Sequence, residues 1–280
     1  MTATDVTRTH APSRAMHGHA MAVGHAEGDF ARAALAAFAG AEDSEALMLV
    51  ADLSRLDFDP EEVLVAGSGR RLDVVDVAGA YDAFQNEDAD KLLHDWDAVL
   101  DEILAAGHTG LRVFADNTAM LAGSSQTTER WLRWEQQTDA WQARRPISGT
   151  CFIDAQLVSD ELVSCAARVH PAVSGSNTPR WSLHHGYVAG RIRLVLSGDV
   201  EVWDAPALDA VLTREADIRS CAPDDGQPCE IDVSNVRYLH HTPLRSLAAL
   251  DPRGVRLVGA PTIVRRLMAA LPTVSGIELT

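Results

Sequence analysis

The chain has 280 residues, 46% of them hydrophobic, and a formal net charge of −16. This length allows one large or two ordinary domains with buried cores, and the acidity is a poor start for a nucleic-acid binder, which must neutralise phosphates. From 187 onward ten arginines nearly balance twelve acids, so the excess belongs to the N-terminal part.

Residues 1–18 are rich in Thr, Ala, Ser and His and read as a flexible tail without the apolar run of a signal peptide. His10, His17, His19 and His25 could suggest a metal, but a His-bearing leader is the simpler reading. From His19 the pattern turns regular. Phe30, Ala33, Ala34, Ala37 and Phe38 form a helical stripe, and Leu47–Ala51 and Leu72–Val77 are strands. Ala66–Arg71 reads as a surface turn. Asp88 to Ala106 is a long helix with Leu92, Trp96, Val99 and Ile103 on one side. It holds Lys91, the only lysine, with no glycine-rich loop before it, which excludes a Walker-type phosphate loop. Leu111–Ala115 is a third strand, Thr127–Ala140 a helix bearing Trp131 and Trp134, Ile147–Ile153 a fourth strand and Ser159–His170 a helix. Continuous apolar strands alternating with helices predict a doubly covered, mostly parallel sheet. Trp181–His185 ends this part as strand or linker, and its adjacent His184 and His185 point to opposite sides if extended, which is poor metal geometry.

In an open α/β sheet, ligands bind outside the carboxyl ends of the strands. The polar groups expected there are Asp52, Asp116 and Asp154, with Glu135 and His19 completing the wall and Trp134 an apolar side. Clustered carboxylates repel, so a ligand would be cationic, metal-associated or a hydrogen-bond donor. Each Asp could equally cap the helix that follows it, and Trp131, Trp134 and Trp141 could equally be core. Cys151, Cys165, Cys221 and Cys229 show no Cys-x-x-Cys spacing, and buried free thiols are expected. Neither Gly-x-Ser-x-Gly nor His-Glu-x-x-His occurs. No catalytic set and no metal site are assigned, and the cofactor is left unknown.

Several local signatures of this part resemble the MEDS (methanogen/methylotroph sensory) domain of prokaryotic regulators. The family's His-Ala-x-x-x-Tyr is met by His19–Gly24, with Gly for Tyr. Its Arg-Val-x-Gly-Glu is met by Arg112–Asp116 and its Glu-x-x-x-Asn by Glu135–Asp139. Its Cys-x-Tyr-Asp is met by Cys151–Asp154, and a helix ending His-Pro by His170-Pro171. The resemblance spans about 17–172 and implies a RecA-like core that lacks a phosphate loop.

The C-terminal part alternates again. Arg191–Asp199 reads as a strand, Asp204–Leu212 as a helix, Val255–Gly259 as a strand and Pro261–Leu271 as a helix. Between them, an acidic strand end (Asp232) and an apolar run (Val236, Tyr238, Leu239) lead to His240-His241-Thr242 and a helix carrying Leu244, Leu247 and Leu250. Pro243 fits the first helical position, and Thr242 then stands at the N-cap.

Residues 188–280 resemble STAS domains, the anti-sigma-factor antagonists, whose switch reads Asp-x-Ser-x-Val-x-aromatic-aliphatic-Asp-Ser-Ser-Gly-Leu. Asp232, Ser234, Val236, Tyr238, Leu239 and Leu244 fall in register. His240 replaces Asp, His241 the first Ser and Pro243 the Gly, while Thr242 occupies the phospho-Ser position. The resemblance implies a partner surface and switch at His240, His241, Thr242 and Arg245. Thr242 is either a plain cap or a phosphate acceptor.

The reading of the whole is α/β: a tail at 1–18, a MEDS-like sensory domain at 19–186 and a smaller STAS-like domain at 187–280. The expected function is signal transduction and transcription regulation without catalysis. The output module would bind an anti-sigma factor or another STAS-pathway protein, and the sensory module a small molecule. A metal- or nucleotide-dependent enzyme using the N-terminal carboxylates is the alternative. No nucleic-acid or membrane partner is expected, and a homodimer is left open. With no membrane-length apolar stretch and no disulfide pattern, the expected compartment is the cytoplasm.

Overall fold

The computed structural model describes residues 18–56, 58–61, 70–86, 88–175, 178–188, 190–221, 227–271 and 276–280. The tail with His10 and His17, and most of the Ala66–Arg71 turn, lie outside the described residues.

Strands β1 (His19–Gly24), β2 (Glu45–Ala51), β3 (Leu72–Asp76), β4 (Gly110–Asp116), β5 (Ile147–Asp154) and β6 (Ala172–Ser174) form a six-stranded sheet in the order β3-β2-β4-β5-β1-β6. Every pairing is parallel. Strand β2 is buried at every position because helices cover both faces of the sheet, which explains its unbroken apolar run. On one face α1 (Asp29–Ala39) packs Ala34 and Phe38 against Leu47, Leu49, Phe114 and Phe152. The other face, with Met48, Val50, Val113 and Ile147, meets α2 (Val77–Asn86), α3 (Ala89–Ala105) and α5 (Ser125–Gln142). A short helix, α4 (Thr118–Leu121), precedes α5. Asp88 and Ser124 cap α3 and α5 by accepting from the amides of Lys91 (2.7 Å) and Thr127 (3.2 Å), so each helix starts where an oxygen can satisfy an orphan amide.

Helix α5 buries Glu135, Gln136, Thr138, Asp139 and Gln142 along with Trp131, Leu132 and Trp141. So polar a helix can be buried only where its side chains find partners. It lies between the first sheet and a second unit: Gln136 donates to the Val211 carbonyl (3.2 Å) and accepts from Arg214 Nε (2.8 Å).

The second sheet runs β10 (Val236–Leu239), β8 (Arg191–Val200), β9 (Cys229–Asp232), β11 (Val255–Val258), β12 (Ile277–Leu279), all parallel. Strand β7 (Trp181–Val188) pairs antiparallel with β8, so Trp181–His185 is seated in the second sheet and not at the end of the first unit. Helices α7 (Ala205–Cys221), α8 (His241–Ala248) and α9 (Thr262–Ala270) cover it, and Leu194, Leu196, Leu208, Ile231, Leu244 and Leu257 share its core. Gly198 has φ +93°, and a Cβ there would stand 2.1 Å from the Arg180 carbonyl oxygen, so only glycine fits.

Two local expectations are corrected. Helix α6 (Asp160–Ala167) stops before His170, which is freed to point inward. Helix α8 is capped by His240, whose Nδ1 accepts from the Thr242 amide at 3.3 Å. Thr242 is therefore inside the first turn and not the cap, and Pro243 follows within that turn, where a missing amide costs nothing. Among the described residues no helix is long and apolar enough to cross a membrane.

Candidate functional site

A cavity of about 440 Å³ lies between the sheet face and helices α2, α3 and α5. Its size is typical of small-molecule sites. Its walls are chiefly apolar: Val50 and Val113 from the sheet, Phe84 from α2, Trp96 from α3 and Trp131, Trp134 and Trp141 from α5. Its polar lining includes His19, Glu135 and Cys151, which cluster together, and Gln142, Thr138, Asp95, Asp116 and Asn117. Gly149 makes room for Gln142, since a Cβ at 149 would come 2.8 Å from its side-chain nitrogen. Trp131 Nε1 and Gln142 Oε1 are buried without a hydrogen-bond partner among the described residues.

The cluster of His19, Glu135 and Cys151 is built from distant parts of the chain. Parallel pairing sets Met21 opposite Cys151, so His19 and Cys151 project from neighbouring strands on one face. Helix α5 lays Glu135 over them, and His170 enters from beyond α6. Glu135 Oε2 is 3.0 Å from His19 Nε2, 3.1 Å from His170 Nε2 and 3.2 Å from Cys151 Sγ, while His19 Nε2 is 3.4 Å from that sulfur. All four residues are buried, and their ligand-type atoms lie within 4.8 Å of one another.

The electrostatics follow from burial and pairing. Burial alone would raise the Glu135 carboxyl, but the imidazoles of His170 and His19 overcome this and hold it down to about 2. Burial works against an imidazolium at His19, yet Cys151, Asp139 and Glu135 outweigh it and raise that group well above its ordinary value. Burial, then the Glu135 charge, pushes the Cys151 thiol up to about 12.

One turn along α5, Asp139 continues the network. Its carboxylate is 3.5 Å from His19 Nδ1, accepts the backbone N–H of His185 and lies 3.0 Å from His185 Nδ1. His185 Nε2 faces Glu215 on α7 at 3.2 Å. Burial disfavours charge on His185, but Glu215 and Asp139 raise it to about 10. A line of alternating acids and bases thus runs from the cavity to the second unit.

Of the residues picked out from sequence, His19, Asp116, Trp134 and Glu135 line the cavity, whereas Asp52 and Asp154 are not among its walls. Asp52, Asp116 and Asp154 each accept a backbone amide two residues on, from Ser54 (3.0 Å), Thr118 (3.0 Å) and Gln156 (2.9 Å). These aspartates turn the chain out of the sheet, and the cavity lies along the sheet face beneath α5. From sequence Cys151 is expected only to be a buried thiol and His170 to end a helix. Both belong to the polar cluster. The available signal was chemical: His19, Glu135, Cys151 and His170 each open a motif singled out above, and each is a metal-ligand type. In the second unit, His241 and Arg245 are exposed, while Thr242 is half-buried and Pro243 buried.

No curated protein sequence gives a significant match to the chain. The model of the MEDS family, the methanogen/methylotroph, DcmR sensory domain, matches residues 19–171, more than half of the chain, which therefore belongs to that family.

Proposed function

We propose that this protein is a cytoplasmic sensory regulator that works by binding and not by catalysis. The MEDS domain takes up a small, largely apolar molecule with a hydrogen-bonding end, and the C-terminal module passes its state to a protein partner. The observation that carries this reading is the 440 Å³ cavity, whose apolar walls close on a buried polar cluster and on the unpaired Trp131 Nε1 and Gln142 Oε1. The line Glu135–His19–Asp139–His185–Glu215 supports transmission, because it joins the cavity wall to α7 of the second unit.

A STAS-like output is supported by the register of Asp232, Ser234, Val236, Tyr238, Leu239 and Leu244. It is also supported by an antiparallel strand followed by alternating helices and parallel strands. The partner, an anti-sigma factor or another protein of that pathway, would meet exposed His241 and Arg245 on α8. Trp203, 63% exposed, lies on the turn that packs against that helix. Transcription regulation would follow from that contact. Because Thr242 is half-buried with its amide held by His240, the output is read as constitutive and not phosphate-switched.

The test is a thermal-shift series on the full chain with straight-chain alcohols from 1-hexanol to 1-decanol. Stabilisation should rise with chain length to an optimum and then fall as the cavity fills. Val113→Trp, which fills the cavity, should abolish it. Equal stabilisation of the variant and the wild-type chain, or none of either, would sink the proposal.

A further inference from the structure

We propose that His19, Glu135, Cys151 and His170 form a binding site for a divalent transition-metal ion of the zinc type, set in the wall of the cavity. The first ground is distance. Tetrahedral zinc with ligand bonds of about 2.0–2.3 Å separates its ligand atoms by about 3.3–3.6 Å. Here the separations from Glu135 Oε2 are 3.0–3.2 Å, and His19 Nε2 to Cys151 Sγ is 3.4 Å. These four separations are within a few tenths of an ångström of coordination geometry, and the other two, from His170 Nε2 to His19 and to Cys151, are within 4.8 Å.

The second ground is the state of the histidines. His170 Nδ1 is 2.8 Å from the Ala166 carbonyl, which can only accept, so the proton is on Nδ1. Its Nε2 faces Glu135 Oε2 at 3.1 Å, in a side chain that is fully buried, and makes no aligned hydrogen bond among the described residues. An ion between Nε2 and the carboxylate oxygen would bond to both. His19 is posed similarly, with Nδ1 toward Asp139 and Nε2 toward Glu135 and Cys151. A histidine that ligates a metal usually turns its other ring nitrogen to a carbonyl or carboxylate, and both rings do so.

The third ground is chemistry. Two imidazoles, a thiolate and a carboxylate suit a borderline ion such as Zn²⁺ and are a poor set for Mg²⁺ or Ca²⁺, which take oxygen ligands. On binding, four coordination bonds form, and the Cys151 thiol proton, with any imidazolium proton, leaves to solvent. Because His19, Glu135 and Cys151 also line the cavity, the ion would give it a Lewis-acidic end.

The probe is Co²⁺, titrated into the full chain after chelator treatment and followed by absorption. The expected result is one equivalent bound, with tetrahedral d–d bands and a thiolate-to-cobalt charge-transfer band. Cys151→Ser should remove the charge-transfer band and weaken binding at least about tenfold. Should that variant not fold, His170→Gln is read for the same loss of affinity. If neither folds, the wild-type stoichiometry and thiolate band decide. No saturable uptake, uptake without a thiolate band, or unchanged affinity in a folded variant overturns the proposal. A metal-free cavity could still take an alcohol, so such a failure leaves the sensory reading standing.

Discussion

Asp139→Asn is expected to destabilise both units of the protein together. The carboxylate is 3% exposed, accepts the backbone N–H of His185, lies 3.0 Å from His185 Nδ1 and stands 3.5 Å from His19 Nδ1. Asparagine keeps the shape and one acceptor oxygen but withdraws the charge, and its amide group would then face an imidazole donor. Removing one side of a buried ion pair costs about 3–5 kcal/mol, a large share of the roughly 5–15 kcal/mol that a folded domain has. With a urea slope of about 3 kcal/mol per molar, the upper end of the usual range and fitting for a larger chain, the midpoint should fall by roughly 1–2 M. Urea unfolding followed by tryptophan fluorescence measures this. If the two units unfold separately, both transitions should move, because Asp139 belongs to one and His185 to the other. In a cycle with His185→Gln, the two losses should fall short of additivity by about 0.5–3 kcal/mol. A change under about 1 kcal/mol, or simple additivity, would refute the linkage.

Stability should also respond to alkali through His185. Its folded-state value is raised to about 10 from an ordinary 6.5, so its contribution is complete below about pH 6.5 and is lost as pH rises towards 10. Urea midpoints measured across that range should fall steadily in the wild-type chain and be flatter in His185→Gln. Gly198→Ala should cost at least about 1–3 kcal/mol, since φ is +93° and the new methyl would strike the Arg180 carbonyl; thermal unfolding reads it, and an unchanged midpoint would contradict the geometry. Arg245→Glu, at an exposed position, should stay within about 0.5 kcal/mol of wild type in the same unfolding assay.

Strands β2 to β5 of the first sheet are legible because a parallel sheet covered on both faces demands unbroken apolar runs, as in Leu47–Ala51, whereas β1 (His19–Gly24) and the three-residue β6 are not read as strands from sequence. The long helices declared themselves through caps and periodicity, as at Asp88. What stayed hidden depended on which strands become neighbours. The polar cluster needs β1 inserted beside β5, which brings His19 next to Cys151 across 132 positions; nothing local to either residue encodes that. His170 was masked because its helix stops at Ala167, one turn earlier than periodicity suggested. The aspartates at strand ends suggest a carboxylate crevice, yet the same residue type at the same place makes a tight turn, and the hydrogen bonds at Asp52, Asp116 and Asp154 are of that kind. The alternation of Trp181–His185 names a strand without naming its sheet, so its pairing with β8 is not readable locally. Residue preference favours Thr242 as the α8 cap, while His240 fills that role with a ring nitrogen.

The most direct test of a cavity whose state reaches the second unit is amide hydrogen exchange on the full chain, with and without saturating 1-octanol. Ligand should slow exchange in β5 and α5, which wall the cavity, and also in β7 at His185 and in α7 around Glu215, while Val113→Trp should show neither change. Slowing confined to the cavity walls, with β7 and α7 unaltered, would contradict transmission through Asp139 and His185.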